Sequence, residues 1–157
     1  MPLEIERKFL LNGDDWKANI SKKVIIKQGY LNSQKERTVR VRTYDEKGFL
    51  TIKAKSENFT RKEFEYEIPI VEANELLELC EKPIIEKIRH MVIEDGNTWE
   101  IDVFEGDNKG LVVAEIELQS ENQKFSIPTW LGVEVSSDSR YFNSSLIKNP
   151  FIKWKKT

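Results

Sequence analysis

Full charges recur at every second position along several short stretches of this chain. Glu4, Glu6 and Lys8 alternate with Ile5 and Phe9, Arg40 and Arg42 with Val39 and Val41, and Lys53 and Lys55 with Ile52 and Ala54. The same pattern places Arg61, Glu63 and Glu65 against Phe64 and Tyr66, and Lys87 and Arg89 against Ile88. Glu100 and Asp102 oppose Ile101 and Val103, and Glu115 and Glu117 oppose Ala114, Ile116 and Leu118. A period of two puts each charged set on one face of an extended strand. Lys8, Arg40, Arg42, Lys53, Lys87 and Arg89 suit phosphate oxygens, since Arg offers a planar fork and Lys a compact point charge. Glu4, Glu6, Glu63, Glu65, Asp102, Glu115 and Glu117 are hard oxygen donors, suited to Mg²⁺ or Mn²⁺. So many carboxylates on one surface repel unless a cation joins them. Both signs in bulk fit a polyphosphate chain that brings divalent metal, and phosphoryl transfer requires mainly positioning and charge neutralisation.

The elements that must hold these side chains are strands. Turn signals at Asn12-Gly13-Asp14, Asp45-Glu46-Lys47-Gly48, Asp95-Gly96-Asn97 and Gly106-Asp107-Asn108-Lys109-Gly110 separate the alternating runs. The runs cover about 3–11, 24–31, 37–44, 49–55, 61–68, 84–93, 98–104 and 111–119, roughly eight strands and enough to close a barrel. A helix is expected over 71–81, where Leu76, Leu77 and Cys80 fall at helical spacing before Pro83, with shorter helices near 14–20, 121–126 and 143–148. A solvated antiparallel sheet face also alternates charge with apolar residues. Two features argue against it. The helices are too few to cover one face of an open sheet, and like charges repeat within strands, as in Arg40/Arg42, Lys87/Arg89 and Glu115/Glu117. The expectation is a mainly β (α+β) fold: an eight-stranded antiparallel closed barrel with a charged lumen, apolar faces outward and a few outer helices. Lys55 and Arg61 share the lumen parity.

Composition narrows the partners. At 157 residues the chain suits a single domain over 1–157. Its 25 basic and 27 acidic side chains nearly cancel to a net charge of -2, so no whole-molecule basic field favours nucleic acid. Cys80 is the single cysteine, which excludes an intrachain disulfide. No apolar run approaches the ~20 residues of a membrane span, and the first residues resemble no leader, so a cytoplasmic protein without membrane or nucleic-acid partners is expected. A homodimer is left open.

Glu4-Ile5-Glu6-Arg7-Lys8 resembles the Glu-x-Glu-x-Lys signature of the CYTH superfamily, the triphosphate tunnel metalloenzymes. The similarity continues through Gln28-Gly29-Tyr30-Leu31, Val39-Arg40-Val41-Arg42, Thr51-Ile52-Lys53 and Arg61-Lys62-Glu63-Phe64-Glu65. It runs on through Glu86-Lys87-Ile88-Arg89, Ile101 to Gly106, Leu111 to Leu118, Gly132-Val133-Glu134-Val135-Ser136 and Asp138 to Asn143. The short length and the stretch from Asp102 to Leu118 are most similar to the bacterial inorganic triphosphatases of that family. The resemblance implies an eight-stranded tunnel and hydrolysis of a triphosphate-containing small molecule with Mg²⁺ or Mn²⁺, two ions with substrate. It implies that Lys8, Arg40, Arg42, Lys53, Lys87, Arg89 and Arg140 bind the triphosphate. Glu4, Glu6, Asp102, Glu115 and Glu117 would hold metal, with Lys8, Lys53, Lys87 and Glu4 as the catalytic set and Glu63 and Glu65 as acidic support. Ser136 stands where the family usually has Thr and keeps the hydroxyl.

Other readings stay open from the sequence: a class IV adenylate cyclase or a thiamine or nucleoside triphosphatase, and a polyphosphate-binding module without turnover. His90, the single histidine, has the parity of the tunnel exterior, which leaves no His-based triad. Cys80, Trp16, Trp99, Trp130 and Trp154 read as packing residues. The basic segment from Phe151 to Lys156 reads as packed on the tunnel.

Overall fold

The computed structural model of the chain describes residues 5–55 and 62–154. Glu4 and Arg61 lie outside them. The strands are β1 (Ile5–Leu11), β2 (Ile20–Asn32), β3 (Arg37–Tyr44), β4 (Lys47–Ala54), β5 (Glu63–Ile68), β6 (Ile85–Glu94), β7 (Asn97–Phe104), β8 (Val112–Leu118) and β9 (Leu131–Glu134). Two α-helices accompany them, α1 (Ile70–Leu79) and α2 (Asn143–Lys148). None is long and apolar enough to cross a membrane.

All nine strands form one antiparallel sheet in the order β5-β4-β3-β2-β6-β7-β8-β1-β9. Tight turns join neighbours where the sequence signals them. Asp95 and Gly96, both at positive φ, make the two-residue connection between Glu94 and Asn97, the geometry that matches the twist of a hairpin. The expected eight-stranded closed barrel is corrected on two points. A ninth strand, β9, pairs with β1, and among the described residues β5 and β9 each have a neighbour on one side only. β9 carries no strong alternation, and its place depends on close backbone approach. A Cβ on Gly132 would lie 2.8 Å from the Leu10 carbonyl oxygen. The expected helix at 14–20 is a single 3-10 turn, Asp15–Asn19. The one expected at 121–126 does not form. That stretch lacks an apolar stripe, and Phe125 instead sits edge-on to Phe9 and Trp99.

Three apolar clusters fix the curl of the sheet. Outside β1, β7 and β8, Phe9, Trp99, Ile101, Ala114 and Ile116 are buried with Trp16 and Trp130. Outside β3 and β4, α1 buries Ala73 and Leu77 against Val41 and Leu50. The helix comes so close that a Cβ on Gly48 would stand 2.6 Å from that of Ala73, so only glycine fits. The third cluster corrects the expectation of an apolar exterior alone. It lies on the inner face, where the charged rows end. One step beyond Lys87, Asp102, Glu115 and Lys8 on the same faces stand Ile85, Phe104, Val113 and Leu10. Leu146 and Ile147 of α2, with Tyr141, pack on them. The inner face is therefore charged along part of its length and has an apolar floor at one end. Burial of such a floor contributes about 25 cal/mol per Å² of apolar surface removed from water.

Candidate active site

The inner charges converge on one cavity of about 650 Å³. β1, β6 and β8 contribute Lys8, Lys87, Arg89 and Glu115, and the far wall from β3, β4 and β5 contributes Arg40, Arg42, Lys53, Glu63 and Glu65. Strands from opposite ends of the sheet thus line the same space. Every lining residue is charged or an amide; among the described residues no aromatic or aliphatic side chain faces it.

The β6–β7 part is tightly interlocked. Lys87 Nζ lies 2.8 Å from Asp102 Oδ2. Arg89 donates to both Asp102 oxygens, from Nε at 2.9 Å and Nη2 at 3.1 Å. Its Nη1 meets Glu100 Oε2 at 2.9 Å. Register explains the grip, because Arg89 stands directly opposite Asp102 in the ladder. Burial works against charge on Asp102, yet Lys87 and Arg89 overcome it and hold the carboxyl well below the usual carboxylate range. Burial lowers the Lys87 ammonium from its ordinary value, partly offset by Asp102 and deepened by Arg89. The two shifts point opposite ways for the pair: Asp102 is held charged by two cations, whereas Lys87, sharing that one carboxylate with Arg89, is not fully compensated for its burial. Burial, with Asp102 and Glu115 nearby, raises Glu100.

Around this knot, Lys8 reaches Glu115 at 3.3 Å and donates to the Tyr141 carbonyl at 3.1 Å. Lys87 also reaches Asn143 Oδ1 at 3.5 Å. On the far wall Arg40 approaches Glu65 at 3.8 Å and Lys53 approaches Glu63 at 3.9 Å. Thr51 links that wall, donating to Glu65 at 3.0 Å and accepting from Arg40 at 3.4 Å. Arg42 lies against the rings of Tyr44 and Phe49. Its Nε is buried without a hydrogen-bond partner, and burial, then the Arg40 charge, lowers its pKa.

Most of the expected site residues are brought together. Lys8, Arg40, Arg42, Lys53, Lys87, Arg89, Glu6, Glu63, Glu65, Glu115 and Glu117 all line the cavity. Glu4 is outside the described residues. Arg140 is not in the lining: it is exposed, bonds Asp138 in a fork at 2.8–3.2 Å, and lies over the Trp154 ring. Asp102 adjoins the cavity with both oxygens committed to cations. Sequence reasoning missed the parts played by Gln28, Thr51, Glu100 and Asn143. Glu100 carried a signal through its shared parity with Asp102, while Gln28, Thr51 and Asn143 fell within the family-like stretches without an assigned role. His90 has the exterior parity expected of it, edge-on to Trp16 with Nδ1 3.2 Å from the Ile101 carbonyl oxygen.

The sequence matches the CYTH domain family over residues 2–149. It is 52% identical, over 99% of both chains, to an inorganic triphosphatase from Acetivibrio thermocellus. It is 34% identical to an inorganic triphosphatase from Nitrosomonas europaea, over 91% of this chain and 95% of that one. The fold superposes on the crystal structure of an inorganic triphosphatase with a TM-score of 0.75, at 33% identity and over 94% and 95% of the two chains. With its charged inner face, its cation-lined cavity and this likeness along its length, the chain belongs to the CYTH domain family.

Proposed function

We propose that the chain hydrolyses inorganic triphosphate to pyrophosphate and phosphate, with its curled sheet serving as a triphosphate tunnel. The observation that carries this reading is the lining of the cavity: six Lys and Arg side chains on facing walls, with no ring or aliphatic group among the described residues to receive a nucleobase or thiamine. The inorganic triphosphatases at 52% and 34% identity support the same substrate.

In this reading Arg40, Arg42 and Lys53 take the phosphoryl oxygens from one wall, and Lys8, Lys87 and Arg89 from the other. Water attacks a terminal phosphorus, the anhydride P–O bond breaks, and pyrophosphate leaves with its charge balanced by those cations. Cations already held in place, as Lys87 and Arg89 are by Asp102, stabilise developing charge at little reorganisation cost. Glu63 and Glu65 steady Lys53 and Arg40.

The donor set fits a divalent metal in part. Glu6, Glu115 and Glu117 supply hard carboxylate oxygens to the cavity, and Glu4, outside the described residues, shares the sequence alternation of Glu6. Among the described residues no three carboxylates converge to metal distance. Asp102 is a poor ligand, because Lys87 and Arg89 hold both its oxygens. We assign metal to Glu4, Glu6, Glu115 and Glu117, and the positioning of Lys87 and Arg89 to Asp102. Bound Mg²⁺ or Mn²⁺ would neutralise phosphate charge and acidify water.

The test is a panel of triphosphate, pyrophosphate, ATP and thiamine triphosphate, each with Mg²⁺ or Mn²⁺, with cyclic AMP assayed separately. The highest kcat/KM is expected for triphosphate. A shorter anion leaves buried cations uncompensated, which is costly. Equal or better kcat/KM for pyrophosphate or ATP, or cyclic AMP as the main product, overturns the reading.

A further inference from the structure

A second hollow, of about 540 Å³, adjoins the charged cavity where β2 and β4 finish and α2 crosses the end of the sheet. Among the described residues its charged lining is of one sign: Lys35, Arg40, Lys53, Lys55 and Lys148. Every other residue lining it carries a hydroxyl, including Tyr30 of β2 and Ser144 and Ser145 of α2. Carboxylates meet it only at its margins: Glu81 accepts from Ser33 at 2.9 Å, and Glu65 and Glu63 of the charged cavity face Thr51, Arg40 and Lys53. Cations and hydroxyls, with no carboxylate in the lining among the described residues, are the donor set of an anion site. Arg40 and Lys53 line both this hollow and the charged cavity, so the two communicate through them. The charged cavity itself mixes signs, with Glu6, Glu63, Glu65, Glu100, Glu115 and Glu117 among its cations, so the one-signed hollow is the more attractive approach for a polyanion.

We infer that this lysine-and-hydroxyl vestibule captures the inorganic polyphosphate anion and hands it through Arg40 and Lys53 into the charged cavity. The inference rests on the triphosphatase reading for its substrate. A charged mouth of one sign concentrates an oppositely charged ligand and speeds its association by 10- to 10³-fold, an effect that salt removes. Screening sets in over a length of about 10 Å at 0.1 M salt, comparable to a vestibule of this size. Lys35 and Lys148 are exposed and do not line the catalytic cavity, so their charge can be reversed without touching it.

The experiment compares wild type with the double variant Lys35→Glu/Lys148→Glu, using triphosphate and Mg²⁺ at low and high ionic strength. At low salt kcat/KM is expected to fall about tenfold or more, with the effect on kcat/KM rather than kcat, and the gap narrows as salt rises. Lys35→Gln/Lys148→Gln should fall between the two. Calorimetric titration with metal-free triphosphate should show the same order of weakening without any turnover. Wild-type kcat/KM in the double variant at every salt concentration overturns the proposal. So does a loss confined to kcat, which would make the vestibule a release path. If wild type does not hydrolyse triphosphate, the functional reading fails, while the metal-free titration still decides the capture site.

Discussion

On the β6–β7 side of the cavity, Lys87, Arg89 and Asp102 meet at 2.8–3.1 Å, with the Lys87 and Asp102 side chains 2% and 3% exposed. On the β3–β4–β5 side, Arg40 and Lys53 face Glu65 and Glu63 at 3.8 and 3.9 Å, and those glutamates are 39% and 40% exposed. The same residue types thus form two different devices. A buried, register-matched set holds its geometry whether or not a ligand is present. A half-solvated set at longer distance is screened and loosely tied, and it can move to a ligand at little cost. The cavity has one wall that is set in advance and one that adjusts.

The largest effect should come from breaking the set wall. Asp102→Asn keeps the shape but leaves Lys87 and Arg89 without their shared countercharge. Loss of one partner from a buried pair costs about 3–5 kcal/mol, and kcat should fall ~10²-fold or more as both cations lose their aim. Urea denaturation alongside steady-state kinetics reads both. Wild-type stability with only the metal requirement altered would return Asp102 to the metal ligands. The pH dependence has a definite sign. Because the folded carboxyl titrates below its unfolded value of about 3.9, its contribution is present above that pH and is lost as pH falls toward the folded value. The acid limb of wild-type stability should flatten in Asp102→Asn.

The adjustable wall should respond oppositely. Arg40→Ala and Arg42→Ala should each cost ~10²-fold in kcat, as for a lost transition-state donor, with weaker triphosphate affinity. Melting temperature should barely move in Arg40→Ala and should rise in Arg42→Ala, since a half-buried cation with an unpaired Nε is removed. Native folding with unchanged kinetics would put this pair on a mere solvent face.

Glu115→Gln and Glu117→Gln separate the walls more finely. The two carboxylates share one strand face about 7 Å apart, given ~3.4 Å rise per residue. Both amides should raise the Mg²⁺ or Mn²⁺ concentration needed for activity. Glu115→Gln should also lower stability, because Glu115 is buried against Lys8, whereas exposed Glu117 should not. Wild-type metal titrations for both would remove them from the ligand set. The smallest effect is expected at Arg140, which is exposed on Asp138 outside the cavity. Arg140→Ala should leave kcat and KM near wild type, and a loss like that of Arg40 would restore it to the substrate contacts.

Much of this molecule was legible in its residues. Period-two alternation is a property of neighbours along one strand, so Arg40/Arg42, Lys87/Arg89 and Glu115/Glu117 could be assigned to a common face before any fold was known. Turns such as Asp95-Gly96 are equally local, because the backbone conformation they require is decided by one or two residues. The rest depended on contacts between segments distant in the chain. Alternation carries no information on which strands become neighbours, so it could not reveal that Asp102 would stand opposite Arg89 and be consumed by cations. Nor could it reveal that β9 would add to β1, or that α2 would cover Ile85, Phe104 and Val113 as a floor. Charge type was written residue by residue. Partnership, burial and the difference between the two walls were decided by register and packing, which exist only once the sheet has formed.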